Sequence, residues 1–160
     1  MRILVISDTH IPDRYEKLPA AVLKEFKKAD LVLHAGDFTS VEFYHELKSQ
    51  KPLKAVLGNL DSSELRNFVK DKESFTLQKY KIGIIHGWGR AEGVLDLVKK
   101  TFDNTYSLVI FGHTHQPLIE KIGKTTYLNP GSPTDKIFAS INSYAVVEID
   151  KTLKAEIFKI

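Results

Sequence analysis

One arrangement recurs along this chain and limits how it can fold. A short, continuous apolar run is followed within two residues by Gly, Asp, Asn or His. Five runs show it: Ile3–Ile6, Leu31–Leu33, Ala55–Leu57, Ile82–Ile85 and Leu108–Phe111. Runs of this length, bounded by such residues, are typical of strands buried on both faces. Ligands of α/β sheets bind beyond the carboxyl ends of strands. The arrangement therefore predicts one site to which the residues after several strands contribute side chains.

Helical patterns separate the early apolar runs. Pro19 is placed as a first-turn proline before Val22, Leu23 and Phe26. Thr39 and Glu42 have the spacing of a capping box, and Asp61 and Glu64 that of a second cap pair. A fourth helix is predicted over 91–100. The first half therefore reads β-α-β-α-β-α, which indicates a parallel sheet with crossover helices.

The second half favours hairpins. They are predicted at 75–77 with 82–85, at 118–122 with 125–128, and at 143–149 with 155–160. These pairs predict a second, largely antiparallel sheet. We expect two sheets with helices outside them, in a single domain spanning residues 1–160.

Composition narrows the chemistry of the expected site. The chain has no cysteine, which excludes disulfides, thiolate nucleophiles and Cys-ligated zinc or iron–sulfur centres. Histidine, of which there are 6, and carboxylates remain as the strong metal ligands. The net charge of +3 comes from interspersed charges and gives no strong nucleic-acid signature. No apolar run approaches about 18 residues, so we expect no membrane span and a cytoplasmic protein.

The polar residues after the five runs form the candidate site. Each has an ordinary explanation if taken alone, such as a turn for Asp8 and His10 or a hydrogen-bonded core histidine for His86. Together they predict a metal centre, because all are imidazoles, carboxylates or a carboxamide at strand ends. His34 is expected to pack or hydrogen-bond beside its turn, and His45 to lie on a helix surface.

These residues resemble a known signature. The five blocks are Asp8-x-His10, Gly36-Asp37, Gly58-Asn59-Leu60-Asp61, His86-Gly87 and Gly112-His113-Thr114-His115. They are similar to the blocks of calcineurin-like metallophosphoesterases, above all the small, cap-less phosphodiesterases of bacteria and archaea. The resemblance runs from Met1 to about Ile149 and includes the block from Asn129 to Ser132. It implies an α/β (α+β) fold, a four-layer αββα sandwich of two mixed β-sheets flanked by helices.

The resemblance also implies a dinuclear metal site. It assigns Asp8, His10 and His115 to the first metal and Asn59, His86 and His113 to the second, with Asp37 bridging both. Manganese is expected, with nickel, iron, cobalt or zinc as alternatives. The implied reaction is attack of a metal-bridging hydroxide on a phosphate ester. Among these ligands, Asp37, Asn59, His86 and His113 are the implied catalytic residues.

The sequence departs from the superfamily pattern at one position with a chemical consequence. Leu60 stands where many members have a histidine that donates a proton. We therefore expect weak protonation of the leaving group and a preference for acidic leaving groups. Substrate contacts are expected from Asp61, Trp88, Arg90 and Ser132, although Asp61 has an equal claim as a helix cap and Trp88 as a rim residue.

Other functions stay open on the sequence. The eukaryotic retromer scaffold subunit resembles the same fold with an impaired metal site, which makes a non-catalytic metal-binding scaffold the main alternative. A phosphomonoesterase or nuclease is a further one. The expected partner is a small phosphate ester, and edge strands in the second half offer a surface for a homo-oligomer.

Overall fold

The computed structural model describes residues 1–160, which form ten strands, three α-helices and one 3₁₀-helix. In the first half these are β1 Arg2–Ile6, α1 Ala20–Lys28, β2 Leu31–His34, α2 Val41–Gln50, β3 Leu53–Ala55 and the 3₁₀-helix Ser63–Asn67. In the second half they are β4 Lys72–Leu77, β5 Tyr80–Ile85, α3 Ala91–Thr101, β6 Leu108–Ile110, β7 Pro117–Ile122, β8 Thr125–Pro130, β9 Ser143–Ile149 and β10 Leu153–Lys159. No helix is long and apolar enough to cross a membrane.

The strands form two mixed five-stranded sheets. The first has the order β10-β9-β1-β2-β3, and its three earliest strands run parallel. The second has the order β4-β5-β6-β8-β7, with a parallel centre of β5, β6 and β8 between two antiparallel edge strands. The predicted mixed-sheet α/β architecture is confirmed.

The expectation that all three hairpins build the second sheet is wrong. The last hairpin joins the first sheet instead, where β9 pairs antiparallel with β1 and Ile3 lies opposite Val147. Burial explains this placement, because Val147 and Ala145 then lie in the same inter-sheet core as Ile3 and Val5. The second sheet consequently has as many parallel as antiparallel pairings.

The apolar residues separate into layers by strand periodicity. In β1, Ile3 and Val5 enter the core between the sheets, while Leu4 and Ile6 face the core under α1 and α2. On the other side, α3 places Val94 and Val98 against the second sheet. Alternate side chains point to opposite faces of a strand, so an uninterrupted apolar run is buried on both. The layers are therefore helix, sheet, sheet and helix.

Two predicted helix starts differ from the structure. Helix α2 is capped by Ser40, whose hydroxyl accepts from the Phe43 amide at 3.1 Å, and not by Thr39. The hydroxyl of Thr39 donates instead to the Ile11 carbonyl at 3.0 Å. The prediction that Asp61 and Glu64 cap a helix is also wrong, since only a short 3₁₀-helix follows. The Asp61 carboxylate accepts instead from the backbone amides of Asp37 and Thr39.

Candidate metal centre

Four buried side chains after β1, β2 and β6 converge into one cluster. Ligand atoms of Asp8, His10, Asp37 and His115 all lie within 4.8 Å of one another. Nε2 of His115 is 3.3 Å from Nε2 of His10 and 3.3 Å from Oδ1 of Asp8. His115 lies more than a hundred positions after Asp8 and His10 in the sequence, and the ends of the strands bring these residues together.

A second group of polar side chains adjoins the first. Oδ1 of Asn59 lies 3.1 Å from Nε2 of His86 and 2.9 Å from Nδ1 of His113. Oδ2 of Asp37 lies between the groups, 3.4 Å from Nε2 of His86 and 3.9 Å from Nε2 of His10. The structure thus brings all seven predicted ligands together, with Asp37 in the middle.

The chemistry of this donor set fits divalent cations. No lysine or arginine nitrogen lies within 4.0 Å of the Asp8 or Asp37 carboxylate, and both carboxylates are buried. Imidazole nitrogens of His10 and His115 face each other, an arrangement that a shared cation would stabilise. Nitrogen and oxygen donors of this kind suit manganese and the later transition metals.

The backbone at the ligands has an unusual conformation. Five of the seven predicted ligand residues have a positive φ, between 49° and 70°. They are Asp8, His10, Asp37, His113 and His115. Asp and His are among the few residue types that enter this region several-fold more often than others. Backbone hydrogen bonds hold these turns, for example from the Asp8 amide to the Gly36 carbonyl at 2.9 Å.

Charges within the cluster shift the pKa values of its histidines and carboxylates. Burial by itself would lower the pKa of His86, but the Asp8 and Asp37 carboxylates outweigh it and raise that pKa to about 9. Burial would raise the pKa of Asp8, and the neighbouring His86 and His115 keep it below the usual value instead. The raised pKa of His86 and the lowered pKa of Asp8 both show that the buried carboxylates favour positive charge beside them.

Residues 1–152 match the calcineurin-like phosphoesterase superfamily domain. The chain belongs to that superfamily. The match covers both sheets as far as β9 and every residue of the cluster.

Individual relatives of this calcineurin-like chain agree with the match. A probable metallophosphoesterase of Methanothermobacter thermautotrophicus is 38% identical, over 99% of this chain and 92% of the relative. A phosphodiesterase of Methanocaldococcus jannaschii is 28% identical, over 82% of this chain and 83% of the relative. The crystal structure of Entamoeba histolytica Vps29 complexed with Zn²⁺ is similar with a TM-score of 0.73, at 26% identity over 99% of both chains.

The calcineurin-like site contains supporting contacts that the sequence did not reveal. The Asp135 carboxylate binds Nδ1 of His115, and Nδ1 of His86 lies 2.7 Å from the Ala35 carbonyl oxygen. Such contacts fix the tautomer and ring orientation of a metal-binding histidine. Asp135 belongs to no motif with the spacing of metal ligands. In the sequence, only its carboxylate could have indicated that it supports a metal-binding histidine.

The block from Asn129 to Ser132 holds two ligand loops. The side-chain amide of Asn129 donates through Nδ2 to the Gly112 carbonyl at 2.9 Å and to the Thr114 hydroxyl at 3.0 Å. The hydroxyl of Ser132 donates to the Asp8 carbonyl at 2.7 Å, and Ser132 is completely buried. The predicted substrate contact of Ser132 is therefore corrected, because a buried hydroxyl already engaged with backbone lies behind the ligands.

Asp61 also joins loops of the site. Its carboxylate accepts hydrogen bonds from the backbone amides of Asp37, Thr39 and Gly58, at 3.1, 2.8 and 2.7 Å. Burial raises the pKa of this carboxyl, against the effect of the amides. The structure therefore gives Asp61 the role of fixing the Asp37 loop to the Asn59 loop, which neither the cap nor the substrate-contact interpretation included.

The remaining predicted residues lie at the edge of the site or away from it. Trp88 is 56% exposed and lines a cavity that also contains Asn59 and His86. The Arg90 side chain is 93% exposed and lies 3.7 Å from Glu92, so the structure does not direct it to the cluster. His34 is buried, within 3.0 Å of the Thr9 hydroxyl, and His45 is exposed, both as expected.

Proposed function

We propose that this protein is a phosphodiesterase that uses two divalent cations, with manganese expected, and that it acts in the cytoplasm on a small phosphate ester. The observation that carries the proposal is the position of Asp37 between two donor groups in a member of a phosphoesterase superfamily. One cation would be held by Asp8, His10, Asp37 and His115, and the other by Asp37, Asn59, His86 and His113. When bound, the cations would activate a water molecule and neutralise charge on the phosphate oxygens.

The protein residues would position both the cations and the ester. Asp135 and the Ala35 carbonyl orient His115 and His86, and so fix the direction of their donor atoms. Hydrolysis adds water to phosphorus and breaks the bond to one alcohol oxygen, which leaves with a proton. Leu60, at the edge of the cluster, cannot supply that proton, so the alcohol must be a good leaving group or take it from water.

Preference for diesters is supported by a relative. The Methanocaldococcus jannaschii protein that is 28% identical carries the name phosphodiesterase. The relative that is 38% identical is named only as a probable metallophosphoesterase, which leaves the ester class open. Diester specificity is therefore the part of the proposal that needs its own measurement.

The test is hydrolysis of bis-(p-nitrophenyl) phosphate and p-nitrophenyl phosphate by protein treated with chelator and then supplied with Mn²⁺. We expect Mn²⁺-dependent turnover that is faster with the diester. Asp37→Asn should abolish both turnover and tight Mn²⁺ binding, because it removes the charge shared by the two donor groups. Asp150→Asn, on an exposed carboxylate next to β9, is the matched control and should retain both.

Three results would overturn the proposal in different ways. Full activity of Asp37→Asn would refute the assignment of the centre. Faster turnover of the monoester would favour a phosphomonoesterase. Stoichiometric Mn²⁺ binding without hydrolysis of either ester would favour the non-catalytic scaffold.

A further inference from the structure

Two open cavities flank the metal-ligand cluster and share Asn59 between them. The first, here the Trp88 pocket, has a volume of about 460 Å³ and is lined by Arg66, Lys72 and Trp88 beside Asn59 and His86. The second, here the Phe138 pocket, has a volume of about 350 Å³ and is lined by Arg14, Leu60 and Phe138 beside Asn59 and His115. A phosphate at the cluster would therefore adjoin both cavities.

The Trp88 pocket combines a free aromatic face with cations. Trp88 is the only tryptophan of the chain and leaves more than half of its surface exposed. Nη1 of Arg66 lies 3.3 Å from Asp71, which leaves the ammonium of Lys72 as an additional positive charge in the pocket. An exposed indole is a suitable surface for stacking a planar group, and the ammonium of Lys72 favours an anionic ligand.

The Phe138 pocket repeats this combination with different residues. Phe138 is 59% exposed, and its ring lies perpendicular to the His115 ring with centroids 5.8 Å apart. The guanidinium carbon of Arg14 lies 5.7 Å from the centroid of the Phe138 ring. A planar group entering here would find an aromatic ring and a guanidinium, which both stack on aromatic faces.

We propose that both pockets bind substrate, and that the substrate is a phosphodiester with a planar aromatic group on each side of the scissile phosphate, as in a dinucleoside monophosphate. This inference rests on the proposed phosphodiesterase function. A monoester has one organic substituent and would leave one pocket empty, whereas a diester has two. Stacking on Trp88 and on Phe138 would each select a nucleobase or aryl group over an alkyl group.

The single tryptophan gives a direct test that requires no catalysis. A non-hydrolysable methylphosphonate analogue of a dinucleoside monophosphate is titrated into the protein loaded with Mn²⁺, and the fluorescence of Trp88 is recorded. We expect saturable quenching, and we expect Phe138→Leu to weaken the apparent affinity about 5- to 150-fold, since loss of one stacking surface has effects of that size. Absence of quenching, or equal affinity for glycerol phosphate, would refute stacking at Trp88.

Steady-state kinetics test the two pockets separately. With Mn²⁺ and the dinucleoside monophosphate, Trp88→Leu and Phe138→Leu should each raise KM by about 5- to 150-fold and change kcat far less. With the methyl ester of a mononucleotide, which has one planar group, only one of the two variants should raise KM. Phe68→Ala, at a 49% exposed ring outside both pockets, is the control and should leave KM unchanged.

Failure of substrate binding in the two pockets can be distinguished from failure of the proposed phosphodiesterase function. If Mn²⁺-dependent diester hydrolysis occurs but neither variant changes KM, the pockets are not substrate subsites and the phosphodiesterase function stands. If hydrolysis is absent while Trp88 is quenched saturably, the pockets bind the ligand and the catalytic proposal fails.

Discussion

Gly58 offers the sharpest test of how the cluster is built, because it packs directly on Asp37. A Cβ atom at Gly58 would lie 2.0 Å from Oδ1 of Asp37, 2.3 Å from its backbone nitrogen and 2.7 Å from Cγ. Real Cβ contacts are essentially never below 3.0 Å, so Gly58→Ala must displace Asp37 by about 1 Å. Rotation of the carboxylate cannot relieve the clash, since one of the overlapping atoms belongs to the backbone.

The magnitude follows from that displacement. A misplacement of about 1 Å in a catalytic arrangement costs on the order of 10²-fold in rate. Asp37 is expected to contact both cations, so we expect Gly58→Ala to lower both Mn²⁺ affinity and kcat for bis-(p-nitrophenyl) phosphate by about that factor. The amide of Gly58 also donates to Asp61 at 2.7 Å, so the two loops would move together.

Calorimetric titration with Mn²⁺ and diester kinetics provide the assay, and Gly93→Ala is the control. Gly93 lies in α3, and a Cβ there meets nothing within 4 Å. Alanine at a helical position stabilises the folded protein by about 0.5–1 kcal/mol relative to glycine. The control should therefore have a slightly higher free energy of unfolding and keep full activity. If Gly58→Ala retains Mn²⁺ affinity and kcat within about threefold, Asp37 is not the shared ligand.

Three further changes test other parts of the molecule. Asp135→Asn should weaken Mn²⁺ affinity about 10- to 100-fold in calorimetry by loosening His115, and unchanged affinity would count against that support. Leu60→His should raise the turnover of alkyl diesters by about 10²-fold, because it adds a proton donor, and should leave the turnover of nitrophenyl diesters unchanged. A wild-type rate that does not depend on the pKa of the leaving group would contradict this reasoning. The hydrogen bond from Arg2 lowers the pKa of Glu25, so this pair stabilises the fold above about pH 4.3 and loses its effect as pH falls through the lowered value. Chemical denaturation of Glu25→Gln should therefore show about 1.5–3 kcal/mol less stability at pH 7 and a flatter acid limb, and an acid limb as steep as that of the wild type would argue against it.

The local sequence predicted the positions of the strands and the residues that follow them, because both depend on short-range patterns. Ile3 to Ile6 reads as a strand buried on both faces, and the structure divides those residues between two cores. Asp8 and His10 follow directly, so their placement at the strand end required no knowledge of distant residues.

Contacts between distant segments were not predictable in the same way. Asp135 reaches His115 from a loop after β8, and Asp61 reaches across to the Asp37 loop. The residues next to Asp135 and Asp61 in the sequence form no pattern that would predict these contacts. The prediction for the third hairpin is wrong for the same reason, since the sheet that it joins depends on the pairing of Val147 with Ile3 on the neighbouring strand β1.

Thr39 shows why the loop network matters beyond the ligands themselves. Its φ of 81° is unfavourable for a β-branched residue, and strain of this kind typically costs about 1–3 kcal/mol. The Asp61 carboxylate accepts from its amide at 2.8 Å, and its hydroxyl donates to Ile11, so the surrounding loops impose the conformation. The same carboxylate binds the amide of Asp37, whose φ is also positive. The turn that presents Asp37, the predicted bridging ligand, is therefore held by hydrogen bonds within the chain.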